Sequence, residues 1–202
     1  MTATETLRHE HEVILLALQG AEEQACQLAY DARQAAALIQ EMAGFFRDFA
    51  DRCHHAKEEK LLFPLLEQRG MPREGGPLGV MLAEHDQGRS YVRAILEALP
   101  GAIAQDRDAV SRVRDNLLAY VGLLREHIDK ENHCLFPMAD EIVSPADQAG
   151  LSAAFERVEV EEIGAGVHER YHELAHQWAM LARHDWDYQH EGGCRACGAC
   201  RG

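Results

Sequence analysis

Apolar residues fall at intervals of three and four along most of the chain, and β-branched runs are scarce. That spacing gathers them on one stripe of an α-helix and predicts helices rather than strands. The first helix runs from about Thr4 to Ala25, with Leu7, His11, Ile14, Leu15 and Leu18 on its stripe. A second, from about Ala35 to Leu66, carries Leu38, Met42, Phe45, Phe46, Phe49, Leu61 and Leu62 and ends before the turn formers Gly70, Pro72, Gly75, Gly76 and Pro77. The third spans about Leu78 to Leu99, with Leu78, Met81, Leu82, His85, Val92, Ile95 and Leu96 inward, and is expected to stop at Pro100-Gly101. The fourth covers about Asp106 to Ile142, with Leu117, Tyr120, Leu124, His127 and Glu131 on one line, and ends at Ser144-Pro145. Four long helices with short connections predict an all-α fold, an antiparallel four-helix bundle over residues 1–143. Two shorter segments, about Ala146 to Ile163 and Val167 to Arg183, make a C-terminal helical extension over 144–186, and the Gly- and Cys-rich residues 187–202 are expected to be a flexible tail.

Composition narrows the partners. A chain of 202 residues has room for one domain with a buried core and an appendage. With 34 acidic against 20 basic residues and a formal charge of -14, its field repels phosphates and anionic lipid, which argues against nucleic-acid and membrane-surface partners. The longest aliphatic run, Val13 to Leu18, is far short of the roughly 20 residues that span a bilayer. Residues Met1 to Glu5 carry neither the basic region nor the apolar stretch of a secretion signal, so the cytoplasm is the expected compartment. Twelve His is a high count and points to a use for imidazole. Cys26, Cys53 and Cys134 are scattered and expected as buried or half-buried thiols, whereas Cys194, Cys197 and Cys200 cluster at the end.

An internal repeat carries the chemistry. The second helix contains His54-x3-Glu58-x3-Leu62-Phe63-Pro64 and the fourth His127-x3-Glu131-x3-Leu135-Phe136-Pro137, offset by 73 residues. At an offset of 74, Glu10-His11 of the first helix recurs as Glu84-His85 of the third. A helical hairpin reads as duplicated, each copy offering one lone His and one His-x3-Glu. Positions i and i+4 lie about 40° apart around a helix and about 6 Å along it, so one metal can take both side chains. A lone core His is usually a hydrogen-bonded structural residue, and a single His-x3-Glu is usually a solvated pair. All four features together, on core-facing stripes, instead gather His11, His54, Glu58, His85, His127 and Glu131 in the bundle centre. Burying two carboxylates there without a cation would cost several kcal/mol each. His55 with Glu59 is a competing clip, but only His54 with Glu58 keeps the distance to Leu-Phe-Pro seen in the fourth helix.

Four imidazoles, two carboxylates and no clustered thiolates in the bundle suit a pair of octahedral irons bridged by Glu58 and Glu131. On these motifs the chain resembles the hemerythrin-like HHE cation-binding family over about Leu7 to Asp140. The resemblance implies His11, His54, His85 and His127 as terminal ligands and Glu58 and Glu131 as bridges. The centre it implies holds two non-haem irons with a bridging oxo or hydroxo group and takes a small diatomic ligand or peroxide. Oxygen-carrying members place a further His one turn before the counterpart of His85, where this chain has Met81. Counting octahedral positions, that departure leaves two open rather than one, which favours reactivity over carriage. The pattern thus implies a protein that binds or senses dioxygen or a related molecule. The other role it suggests is an enzyme acting on nitric oxide or peroxide, or servicing iron-sulfur clusters.

Two motifs lie outside that pattern. His168-Glu169-x2-His172 matches the zinc-peptidase signature, but His176, the next His on the same helix, is too far along the axis to complete a site. A solvated helix face is the expectation for all three. Cys194, Cys197 and Cys200, with His190 nearby, offer soft ligands for a second metal. No pattern in the sequence sets the oligomeric state.

Overall fold

The computed structural model describes residues 1–164 and 166–192, and among them the chain forms six helices and no strand. Helix α1 is Ala3–Gln27. Helix α2 is one rod made of Ala32–Phe45, Phe46–His55, Glu58–Leu62 and Phe63–Gln68. Helix α3 is Pro77–Ile103. Helix α4 joins Arg107–Lys130, Glu131–Leu135 and Phe136–Ile142. Helix α5 joins Pro145–Val158 and Glu159–Ile163, and α6 is Val167–Gly192. Side chains that accept from the first-turn amides start four of them: Thr2, Asp31, Asp106 and Ser144. Helix α3 does not stop at Pro100-Gly101 but continues to Ile103. Pro100 removes one backbone bond in the last turn, and burial of Ala98, Leu99 and Ala102 outweighs that loss. None of these helices is long and apolar enough to cross a membrane.

Helices α1 to α4 close into a ring in which each packs on two others. The core has two apolar clusters. One contains Ile14, Phe49, Val92 and Leu124; the other contains Leu7, Leu62, Met81 and Leu135. Along the chain these clusters are visited in alternating order from helix to helix, which is the up-down-up-down arrangement expected. His11, the His54–Glu58 clip, His85 and the His127–Glu131 clip each fall between the two visits. The polar residues therefore form one layer sandwiched between apolar ones.

At that layer α2 and α4 are π-helical. Stretches Glu58–Leu62 and Glu131–Leu135 are wound this way at repeat-equivalent positions, as is Phe46–His55. In the two short stretches the N–H of the residue before the proline, Phe63 or Phe136, bonds back to the carbonyl of Glu58 or Glu131. Pro64 and Pro137 have no N–H and their rings crowd the carbonyl four residues earlier, so the widened turn relieves both sites.

The extension is packed rather than free. Helix α6 lies along α1, and Ala175 and Trp178 join the larger apolar cluster, Trp178 standing edge-on to Phe45 at 5.8 Å. Gly20 makes the approach possible, because a Cβ there would lie 2.7 Å from the Trp178 Cβ. Helix propensity alone favours Ala over Gly by about 1 kcal/mol. The overlap should reverse that sign, so we expect Gly20→Ala to lose about 1–2 kcal/mol. Gly122→Ala, with nothing within 4 Å, should gain up to about 1 kcal/mol. Urea denaturation of the two variants checks the contrast.

Candidate metal centre

The structure brings all six sequence-predicted residues together. His11, His54, Glu58, His85, His127 and Glu131 are each 0–1% exposed. The Nε2 atoms of His11 and His54 are 3.0 Å apart, and those of His85 and His127 are 3.1 Å apart. Glu131 Oε2 lies 3.2 Å from the Nε2 of both His11 and His127. Glu58 spans the same two pairs with its other geometry, Oε1 being 3.6 Å from His54 Nε2 and Oε2 3.4 Å from His85 Nε2. Each carboxylate thus reaches one imidazole from either hairpin.

Outer hydrogen bonds orient every ring. The Nδ1 of His54 meets Glu10 at 2.9 Å, that of His127 meets Glu84 at 2.9 Å, that of His85 meets Glu59 at 2.7 Å and that of His11 meets Asn132 Oδ1 at 2.9 Å. These acceptors obey the repeat: Glu10 matches Glu84, and Glu59 matches Asn132. Each takes the Nδ1 proton, so Nε2 is the atom that the neutral ring turns toward the centre. Lys57 and Lys130, also repeat mates, bond to Glu10 and Glu84 in turn.

Two neutral rings whose Nε2 lone pairs face each other at 3.0 Å repel unless a proton or a metal ion lies between them. All four carboxylate oxygens of Glu58 and Glu131 are likewise buried without a hydrogen-bond donor. Burial, reinforced by neighbouring Glu131, pushes the Glu58 carboxyl well above the usual range. Burial pushes Glu131 up too, but His127 and His11 outweigh it and hold that carboxyl well below. For His54, burial outweighs Glu10 and lowers the imidazole to about 4. For His127, burial is outweighed by Glu131 and Glu84, which raise it to about 9. This donor set fits metal ions: His11, His54, Glu58 and Glu131 offer atoms within 4.8 Å of one another, and so do His55, Glu58, His85 and His127.

His55 is the residue that sequence reasoning set aside. It is buried, its ring stacks on His85 with centroids 3.8 Å apart, and neither ring nitrogen has a hydrogen-bond partner. The adjacent His-His pair was its visible signal, masked because the repeat register selects His54. Met81 is buried in the apolar cluster beside the layer.

The extension corrects other expectations. His168 and His172 do not form a solvated face, since both are half-buried against α1 and α2, with the His168 ring 5.1 Å from Phe49 and the His172 ring 5.4 Å from His9. His176 is exposed, as expected. The His168 Nε2 lies 3.4 Å from Glu10, and Glu159 completes a third set of donors. There the ammonium of Lys57, 2.6 Å from Glu159 and bonded to Glu10, already supplies the positive charge. Burial pushes Glu10 up, yet His168, His54 and Lys57 together hold its carboxyl well below the usual range. Cys53 is buried and Cys26 half-buried, but Cys134 is exposed because it faces outward one residue before the inward Leu135. Cys194, Cys197 and Cys200 lie outside the described residues.

Fold and site together define a helical-bundle protein whose paired His and Glu residues can hold metal. Residues 2–139 match the model of the hemerythrin HHE cation-binding domain, and the chain belongs to that family. An uncharacterised protein of Mycobacterium bovis, Mb2018, is 28% identical over 164 residues, 81% of this chain and 64% of its own length. Proteins named iron-sulfur cluster repair protein YtfE are also similar. The one from Musicola paradisiaca is 37% identical over 93 residues, and the one from Salmonella paratyphi B is 34% identical over 89. Each of these YtfE matches covers 43% of this chain and 40% of the relative.

Proposed function

We propose that the protein is a non-haem di-iron protein that binds or senses dioxygen or a related small molecule. His11 and His54 would hold one iron and His85 and His127 the other, with Glu58 and Glu131 bridging them and an oxo or hydroxo group completing the bridge. The observation that carries this reading is the convergence of four Nε2 atoms with four buried carboxylate oxygens that lack a hydrogen-bond partner. Carboxylate and imidazole donors in this number suit octahedral iron better than tetrahedral zinc. Iron would supply a redox-active position for a small ligand. The chain itself orients the rings through Glu10, Glu84, Glu59 and Asn132, and carboxylate acceptors on Nδ1 strengthen Nε2 as a donor. Phe136, stacked on His11 at 5.4 Å, and Phe63, on His85 at 6.0 Å, close the layer to water from one side. In this reading residues 1–143 carry the centre, 144–186 cover its Glu10 side, and Cys194, Cys197 and Cys200 would offer soft ligands for a second metal.

Anaerobic iron loading followed by dioxygen titration is the test. Two irons per chain and near-UV bands on oxidation are expected; a colourless protein that retains one zinc would reject the reading. A second role at the same centre, acting on nitric oxide or peroxide or servicing iron-sulfur clusters, is favoured by the YtfE relatives. Turnover of nitric oxide or peroxide by the loaded protein separates it from binding alone.

A further inference from the structure

A cleft of about 310 Å³ enters the bundle between α2, α3 and α4. Exposed Arg47 and Arg93 stand at its mouth, Phe46, Val92, Leu96 and Tyr120 form its walls, and buried His55 closes its inner end. His55 faces two ways: it lines the cleft, and one of its ring nitrogens falls in the donor set with Glu58, His85 and His127. Asp51 comes within only 3.5 Å of His55 Nδ1, too far to satisfy it, so the ring is held by packing, stacked on His85 and edge-on to His127 at 5.7 Å.

We propose that this cleft is the entrance and holding site for a small neutral diatomic ligand, dioxygen or nitric oxide, and that His55 is its gate, a fifth imidazole able to cover the position beside His85 and His127 or yield it to the ligand. The inference rests on the di-iron reading. Apolar walls favour a neutral guest over an ion, which would leave its hydration behind. The one cation deeper than the mouth, Arg89, is spent on Asp51, Asp86 and Glu59, so an anion finds no free partner inside. A larger organic molecule would need convergent polar groups to orient it, whereas here Arg89 and Asp51 are paired with each other and the His55 ring at the inner end is turned to the donor set. The same Arg89–Glu59 contact continues to His85 Nδ1, which keeps the wall and the gate's stacking partner in fixed relation.

Gly88 offers a way to block the route. A Cβ there meets Tyr120 at 3.5 Å, an ordinary contact, so the helix tolerates it while the further methyls of Val project into the cleft. The experiment measures nitric oxide binding to the iron-loaded, reduced full chain by stopped-flow absorbance, with iron content determined for each sample. Gly88→Val should slow association by about tenfold or more at unchanged iron content, and His55→Ala should speed it by a similar factor. Leu96→Trp, nearer the mouth, provides a second block should Gly88→Val fold poorly. Crystals under xenon pressure should place xenon among Phe46, Val92 and Tyr120 in the parent and not in Gly88→Val. Two irons with association rates unchanged in both blocking variants would overturn the cleft and leave the centre standing. Absence of two irons in the parent would remove both.

Discussion

Glu58→Ala and Glu131→Ala should each leave a protein that holds at most one iron per chain after anaerobic loading, while His168→Ala should retain two. The expectation follows from the way each carboxylate serves both hairpins: Glu131 stands 3.2 Å from His11 and from His127, and Glu58 lies between His54 and His85. Removing either takes a donor from both metal positions at once. His168 touches none of the six proposed ligands, and its nearest carboxylate toward the layer is Glu10, whose charge Lys57 already balances. Folding defects are separated from ligand loss by Glu58→Gln. Because burial already pushes this carboxyl toward its neutral form, the metal-free amide variant should melt no lower than the metal-free parent, yet it should lose iron. Iron analysis and thermal denaturation read the two effects. Full retention of two irons with unchanged spectra in Glu58→Ala would refute the bridging assignment.

The duplication supplies an internal control for the second large effect. Lys57 and Lys130 are equivalent in the repeat and bond to equivalent carboxylates, Glu10 and Glu84. Lys57 is fully buried and also reaches Glu159 at 2.6 Å, whereas Lys130 is 39% exposed. Lys57→Met leaves Glu10 buried without its cation and should cost about 3–5 kcal/mol. Lys130→Met leaves a carboxylate that water can reach and should cost below about 1 kcal/mol. Denaturant midpoints of the two variants decide the matter. Equal losses would show that the α5 contact through Glu159 adds nothing to the burial of Lys57.

Much of this protein is legible along the chain because its helices repeat. Heptad-like spacing sets four rods, and the 73-residue offset picks His54 over His55 as the mate of His127. The repeat gives the six donors matching positions and periodicity turns them inward, while the antiparallel packing of the helices brings them to one level between the two apolar clusters. What the sequence leaves undecided depends on surfaces contributed by distant segments. Adjacent residues on an α-helix point about 100° apart, so a register that turns His54 inward turns His55 away. The π-helical winding of Phe46–His55 alters that phase, and the stacking of His55 on His85 exists only once α3 is in place. The face of α6 reads as solvated because its His and Glu residues are polar, yet the notch at Gly20 and the rings of Phe45 and Phe49 receive it. Periodicity reports which side of a helix is apolar; whether a half-polar side is wet or docked is settled by the shape and charge of the surface that meets it.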